Sequence, residues 1–547
     1  RALTVLPRSA ESDAATLKRL EDHLKSFLAL EDDQLAERRR ASDVILQRTA
    51  WDKLIDRTLE AHKKALTRAA ARKAKVPAPP PMAPLTRRSV IVLPTTGADR
   101  PQLHSFTVQA RLPERLSRLR ELASNLWWCW HPRATELFES IDAEGWAASR
   151  GNPVALLRGV DPGRLSQLAE DAEFLARLDA VLAELDADLN RTPADAPATT
   201  YFCAEFGLHE SVPIYSGGLG VLAGDHLKAA SDLGLPLSAV GLRYAHGYFI
   251  QRIEPGGGQA AEFRLTELRD QPMSEARGPD GRPLRVVIPM PERDLHAAVF
   301  VLPVGRVPLY LLDTRVPEND PADQDTTFRL YPSDREHRLR QEILLGMGGW
   351  LALEALGRRP VVCHLNEGHS AFLLLQRLLE LVERRGLRFA EATEVVRGST
   401  IFTTHTPVPA GHDRFSEGLM RRYFGHVAQR LGLDWDEFLD LGRESRQESE
   451  FSMTVLALRL SSRANGVSRL HGDVSRKMLR GVWPGFHEEE APVESVTNGV
   501  HLPTWVGPEI RALLDTALGE EWARNHPDAE GWEAVGSIAP ERLWEAR

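Results

Sequence analysis

Apolar positions near the start of the chain recur by threes and fours. Leu17, Leu20, Leu24, Phe27 and Leu28 follow that step, with Glu21 four residues before Lys25, which predicts helix across residues 12–75. The run from Val76 to Pro84 is too rich in proline for helix or central strand and reads as a semi-rigid spacer, set at 76–88. After a strand-like piece at Ser89–Leu93, the helical step returns in Leu112, Leu116, Leu119, Leu122, Leu126 and Trp130. It returns again in Phe174, Leu178, Val181, Leu185 and Leu189, so 89–198 is expected to be a mainly helical domain. Trp127, Trp128 and Trp130 sit on that stripe and are expected in its core rather than on a sugar-stacking platform.

From Thr199 the pattern changes to short β-branched or apolar runs alternating with helices, the signature of an α/β fold with a parallel sheet over 199–504. Residues 505–547 return to a helical pattern, and 1–75 read as the tail of a preceding domain. Four predicted strands deliver polar side chains just past their carboxyl ends. Thr200–Ala204 leads into Glu205, Val361–Leu365 into Asn366, Glu367 and His369, Thr400–Thr403 into His405, and Val493–Val496 into Asn498. Open α/β sheets place their ligand crevice along that edge. Turn-making or capping explains one such instance, but four less easily.

The 547 residues, 42% hydrophobic and 27% charged, suit a globular chain of about three domains. Acidic residues outnumber basic ones by 77 to 68, a net charge of −9, so no global field draws nucleic acid or an anionic membrane. The apolar runs Ile343–Leu356 and Ala371–Val382 are interrupted well short of a membrane span. Three cysteines with no paired motif predict a reducing, cytoplasmic setting. The chain opens at Arg1 without Met and closes at Arg547 in helical pattern, and both ends are expected to be cuts in a longer protein.

Ser216-Gly217-Gly218-Leu219-Gly220 precedes a helical pattern, so its amides are expected to face an anion at the positive helix end. It is neither a Walker loop nor a dinucleotide fingerprint. His405 with Asn498, and Glu367 with His369, supply the mixed donors and acceptors that pair with several sugar hydroxyls. Cys363, His364 and His369 fit no common zinc spacing, so no metal is expected.

At these residues the chain resembles a known family. Tyr215–Gly220 with Asp232–Pro236, Gly241–Phe249, Leu365–Ser370, Thr403–Thr406, Ala464–Val467 and Thr497–His501 are similar, in that order, to the motif series of the α-glucan (glycogen or maltodextrin) phosphorylases. The segment with Asn125–Trp128, Trp146 and Asn152-Pro153 resembles the extra N-terminal domain of their divergent bacterial and archaeal branch. The resemblance implies a two-domain GT-B fold whose N-terminal Rossmann-like half lies in this chain. It implies pyridoxal 5′-phosphate, and reversible, retaining phosphorolysis of terminal α-1,4-linked glucose to glucose 1-phosphate. Partners would be α-1,4-glucan, inorganic phosphate and glucose 1-phosphate, with the cofactor phosphate relaying a proton, and a homodimer is common in the family.

Carried over, Gly217 and Gly218 match the loop against phosphate and cofactor, His405 the glucosyl-contacting histidine, and Asn498 the asparagine holding a glucose hydroxyl. Glu205, Glu367 and His369 match residues lining the sugar channel. Glu367 stands where animal members carry Asp, and Gly368 and Ser370 also differ, so animal-type regulation is not carried over. The cofactor needs a lysine, yet beyond the spacer only Lys228 and Lys477 occur. Both are expected to be surface or phosphate-facing, and the covalent lysine to follow Arg547. Glycogen or starch synthases are the nearest rival, but they place Lys where Tyr215-Ser216 stands. A faint likeness of residues 40–66 to a synthase terminal helix leaves a synthase–phosphorylase fusion open, as it does a non-catalytic glucan-binding subunit.

Overall fold

The computed structural model describes residues 111–408, 411–519, Trp522 and 529–547. The expected helix at 12–75, the spacer at 76–88 and the piece at Ser89–Leu93 lie outside them. Helices fill the chain from Leu119 to Leu189, capped by the side chains their sequence supplies. Asn152 and Asp161 each precede a proline at the first helical position, and Asp142 and Asp171 accept first-turn amides. Trp127, Trp128 and Trp130 are all buried, as the helical stripe requires.

These helices share one continuous core with the sheet that follows. Asn125 stitches the two together: its Oδ1 accepts the amides of Trp127 (3.0 Å) and Gly305 (2.8 Å), and its Nδ2 donates to the Gly305 carbonyl (3.0 Å). Trp130 Nε1 donates to Asp232 at 3.1 Å.

Among the described residues the central sheet has ten strands. Thr199–Phe202 runs in its middle between Leu237–Leu242 and Val362–Asn366, and all three are parallel. On one side follow Thr400–Thr404, Arg463–Gly466 and Glu494–Ser495, and on the other Val307–Asp313, again parallel. The expected strands near 200, 361, 400 and 493 are therefore present, within one or two residues at each end.

The sheet is nonetheless mixed. Leu295–Val304 joins Val307–Asp313 as an antiparallel hairpin, and Arg285–Ile288 and Ser274–Glu275 pair with its other side. The register puts Asn366, Thr403 and Asn465 side by side at the carboxyl edge. Among the described residues no helix is long and apolar enough to cross a membrane.

Candidate active site

Glu205 follows the central strand and is 3% exposed. Its Oε2 accepts the amides of Ser216 (2.6 Å) and Gly217 (3.2 Å), while Oε1 accepts the Tyr331 hydroxyl at 2.6 Å. The carboxylate thus anchors the glycine loop from behind. The helix Gly218–Asp232 opens directly from that loop, with Gly217 at its N-cap. A Cβ on Gly220 would stand 2.7 Å from Glu205 Oε2, and one on Gly224 only 1.9 Å from the Gly207 carbonyl, so this helix start approaches the chain after Glu205 only because both are glycine. Gly217 and Gly218 have open space where a side chain would be, leaving the positive end of the helix accessible to an anion.

Glu367 ends the neighbouring strand at φ +63° and ψ 175°, a conformation otherwise nearly confined to glycine. Its Oε1 accepts the Thr406 amide at 2.8 Å, the Thr404 hydroxyl at 3.3 Å and the His405 amide. Burial pushes its carboxyl above the usual range, and these hydrogen bonds act against that rise. One carboxylate therefore shapes the turn that carries His405.

His405 and His369 are both neutral at pH 7. Burial lowers His405 to about 4, and burial with the nearby Arg338 charge lowers His369 to about 3. Among the described residues, His405 Nε2 and His369 Nδ1 are buried without a hydrogen-bond partner, as is His412 Nε2. His369 Nε2 lies 3.6 Å from Asp413, and His412 Nδ1 lies 2.7 Å from the Thr454 hydroxyl. Buried nitrogens of this kind call for a partner that the described residues do not supply. Neutral imidazoles among backbone amides suit hydroxyl groups better than a charged ligand.

Asn498 stands apart. Its side chain is exposed, its amide donates to the Val467 carbonyl at 3.1 Å, and the hydrogen bonds linking the other residues do not include it. Lys228 corrects an expectation: it is 1% exposed, and its Nζ donates to the Leu208 carbonyl (2.8 Å) and the Thr504 hydroxyl (3.2 Å). Two turns of helix separate it from the glycine loop and turn it into the core. Lys477 is exposed on the helix Arg469–Leu479. Sequence reasoning missed Tyr331, Arg338 and Asp413. The one local sign was Arg338 standing four residues before Glu342, an ion-pairing step on a helix.

Histidines wholly or partly shielded from water make stability depend on pH. His209, His364, His369 and His405 lie at about 4, 3, 3 and 4, all below the ordinary 6.5 because burial disfavours their charged form. The unfolded chain takes up protons below about pH 6.5 that the folded chain refuses, so their contribution is complete above 6.5 and is lost as pH falls towards 4 and below. Glu342 and Glu367, both raised, act the opposite way but are outnumbered. Denaturant midpoints should fall steadily from pH 7 to pH 4.5, less steeply in His364→Gln; a midpoint independent of pH would contradict this assignment.

Residues 352–535 match the carbohydrate phosphorylase family, and residues 112–212 match a family described as a protein of unknown function. The chain is 45% identical over 448 residues to a maltodextrin phosphorylase of Thermococcus litoralis, covering 80% of this chain and 53% of that protein. It is 44% identical over 467 residues to a glycogen phosphorylase of Mycobacterium tuberculosis, covering 81% and 54% respectively. A glycogen phosphorylase of Aquifex aeolicus is 37% identical over 432 residues, covering 78% and 62%. The chain spans about half the length of the curated relatives it matches. Residues 352–535 thus belong to the carbohydrate phosphorylase family, and over about four-fifths of its own length the chain is similar to α-glucan phosphorylases.

Proposed function

We propose that the protein carrying this chain is an α-1,4-glucan phosphorylase, releasing glucose 1-phosphate reversibly from the ends of glycogen or maltooligosaccharides. The observation that carries this reading is the pairing, on one sheet edge, of an open glycine loop anchored by Glu205 with a neutral, half-buried His405 whose buried Nε2 has no partner among the described residues. With the Ser216 and Gly217 amides held by Glu205, the amides of the helix start that follows would receive anionic oxygen, and His405, its turn fixed by Glu367, would pair with sugar hydroxyls together with His369. Asn498 would join them as a further sugar contact. The reading includes a GT-B arrangement, the domain boundaries at 89–198, 199–504 and 505–547, a cytoplasmic setting and a homodimer.

Carbohydrate phosphorylases generally depend on pyridoxal 5′-phosphate. The glycine loop fits that cofactor's phosphate, but neither Lys228 nor Lys477 is placed to form its imine. When bound, the cofactor supplies a phosphate that serves as acid–base partner to inorganic phosphate.

The test is glucose 1-phosphate release from maltooligosaccharide and inorganic phosphate by the natural full-length protein, with and without added pyridoxal phosphate. Cofactor-dependent release is expected. No release, together with glucose transfer from ADP-glucose or UDP-glucose, would overturn the reading.

A further inference from the structure

Tyr331 precedes the helix Arg335–Ile343 and has φ +55°, in the left-handed region that a bulky residue rarely occupies. Such strain persists only where surrounding contacts over-determine it. Here they do so from two sides. The Tyr331 hydroxyl donates to Glu205 Oε1 at 2.6 Å, and the Arg338 guanidinium carbon lies 4.5 Å from the centre of its ring. Arg338 in turn reaches Asp413 Oδ2 through Nη2 at 2.8 Å and Glu342 Oε1 through Nε at 3.2 Å. Asp413 faces His369 Nε2 at 3.6 Å. The chain of contacts therefore runs from the amides of Ser216 and Gly217, through two carboxylates, a tyrosine and an arginine, to an imidazole.

We propose that Tyr331 and Arg338 are positioning residues that clamp the glycine loop and His369 into one register, through Glu205 and Asp413 respectively. The proposal rests on the phosphorylase reading for what the two ends bind, not for the clamp itself. Glu205 spends one oxygen on the loop amides and the other on Tyr331, so the hydroxyl fixes the rotation of the carboxylate and with it the loop. Arg338 supplies a planar fork that stacks on the ring while binding carboxylates at its edge, which a lysine cannot do. Burial holds Glu342 well above the ordinary carboxyl range, so Arg338 and the ionised Asp413 form the charged pair and Glu342 completes the packing around it. Anion and sugar ends held by one shared arginine would be kept at a fixed separation, which a reaction between two bound groups requires.

Tyr331→Phe removes only the hydroxyl. In the natural full-length protein it should raise KM for inorganic phosphate about tenfold or more, as expected for losing a hydrogen bond to a charged group, while KM for maltooligosaccharide moves less than about twofold. Hydrogen–deuterium exchange of the peptide spanning residues 212–221 should accelerate locally, without change elsewhere. Arg338→Lys should raise both KM values and accelerate the same peptide. The combined variant should fall short of the product of the single effects, because both act on one linkage. Unchanged phosphate KM with unchanged exchange at 212–221 in Tyr331→Phe would overturn the clamp, and Arg338→Lys provides the same two readouts if the first variant does not fold. Absence of phosphorolysis in the wild type would instead sink the functional reading, leaving the exchange comparison to decide the clamp.

Discussion

Replacing His405 with Ala in the natural full-length protein should lower phosphorolysis about 10²-fold or more, the scale of one lost contact that strengthens in the transition state. The imidazole is neutral at pH 7, with its value held near 4 by burial, so it offers one donor and one acceptor and no charge. Its Nε2 is buried and has no partner among the described residues, so truncation breaks no hydrogen bond to them at that atom. Stability should therefore change little. The loss should fall mainly on kcat, since a hydroxyl contact that tightens with the reaction adds less to the ground state. Unchanged kinetics would show that the sugar end of the site lies elsewhere.

Much of the framework was legible because its signals are local. Period-3.6 apolar steps gave the helices around Leu119–Leu189, and runs ending in polar residues gave the strands that carry Glu205, Glu367 and His405. The tryptophans fell in the core because a helical stripe has to be covered. The antiparallel hairpin Leu295–Asp313 was not separated from the parallel pattern, because strand direction leaves no mark on a buried apolar run. Lys228 followed the glycine loop closely enough in sequence to suggest a phosphate, but the turn of the helix decides which way it points, and Leu208 and Thr504 receive it in the core.

The connections within the site were the least legible part. Glu205 reads in the sequence as a channel residue, whereas its hydrogen bonds go to Ser216, Gly217 and Tyr331, 11, 12 and 126 positions away. No spacing rule links such positions; only the fold brings them together. Asp413 likewise meets Arg338 across 75 positions. Residue type at a strand end showed where chemistry could gather, while the partners that hold each group at its angle came from distant loops and from one helix, at positions that no local pattern connects.

Glu367 allows backbone conformation and side-chain function to be separated. Its carboxylate holds the amides of His405 and Thr406, and removing it leaves two donors to find new partners in a buried turn. Glu367→Ala should therefore cost about 3 kcal/mol of stability and most of the activity, because the turn carrying His405 loses its anchor. Glu367→Gly removes the same carboxylate but suits φ +63° and ψ 175°, where any side chain is strained by about 1–3 kcal/mol. The usual order, in which alanine is more stable than glycine, should thus reverse at this position by about 1 kcal/mol. Both variants should be equally poor in phosphorolysis, since neither can hold the His405 turn. Denaturant unfolding and steady-state rates on the two proteins decide the matter: a glycine variant less stable than the alanine one would mean that Glu367 is not strained. Retained activity in either would mean that the two amides, and not the carboxylate beneath them, set the position of His405.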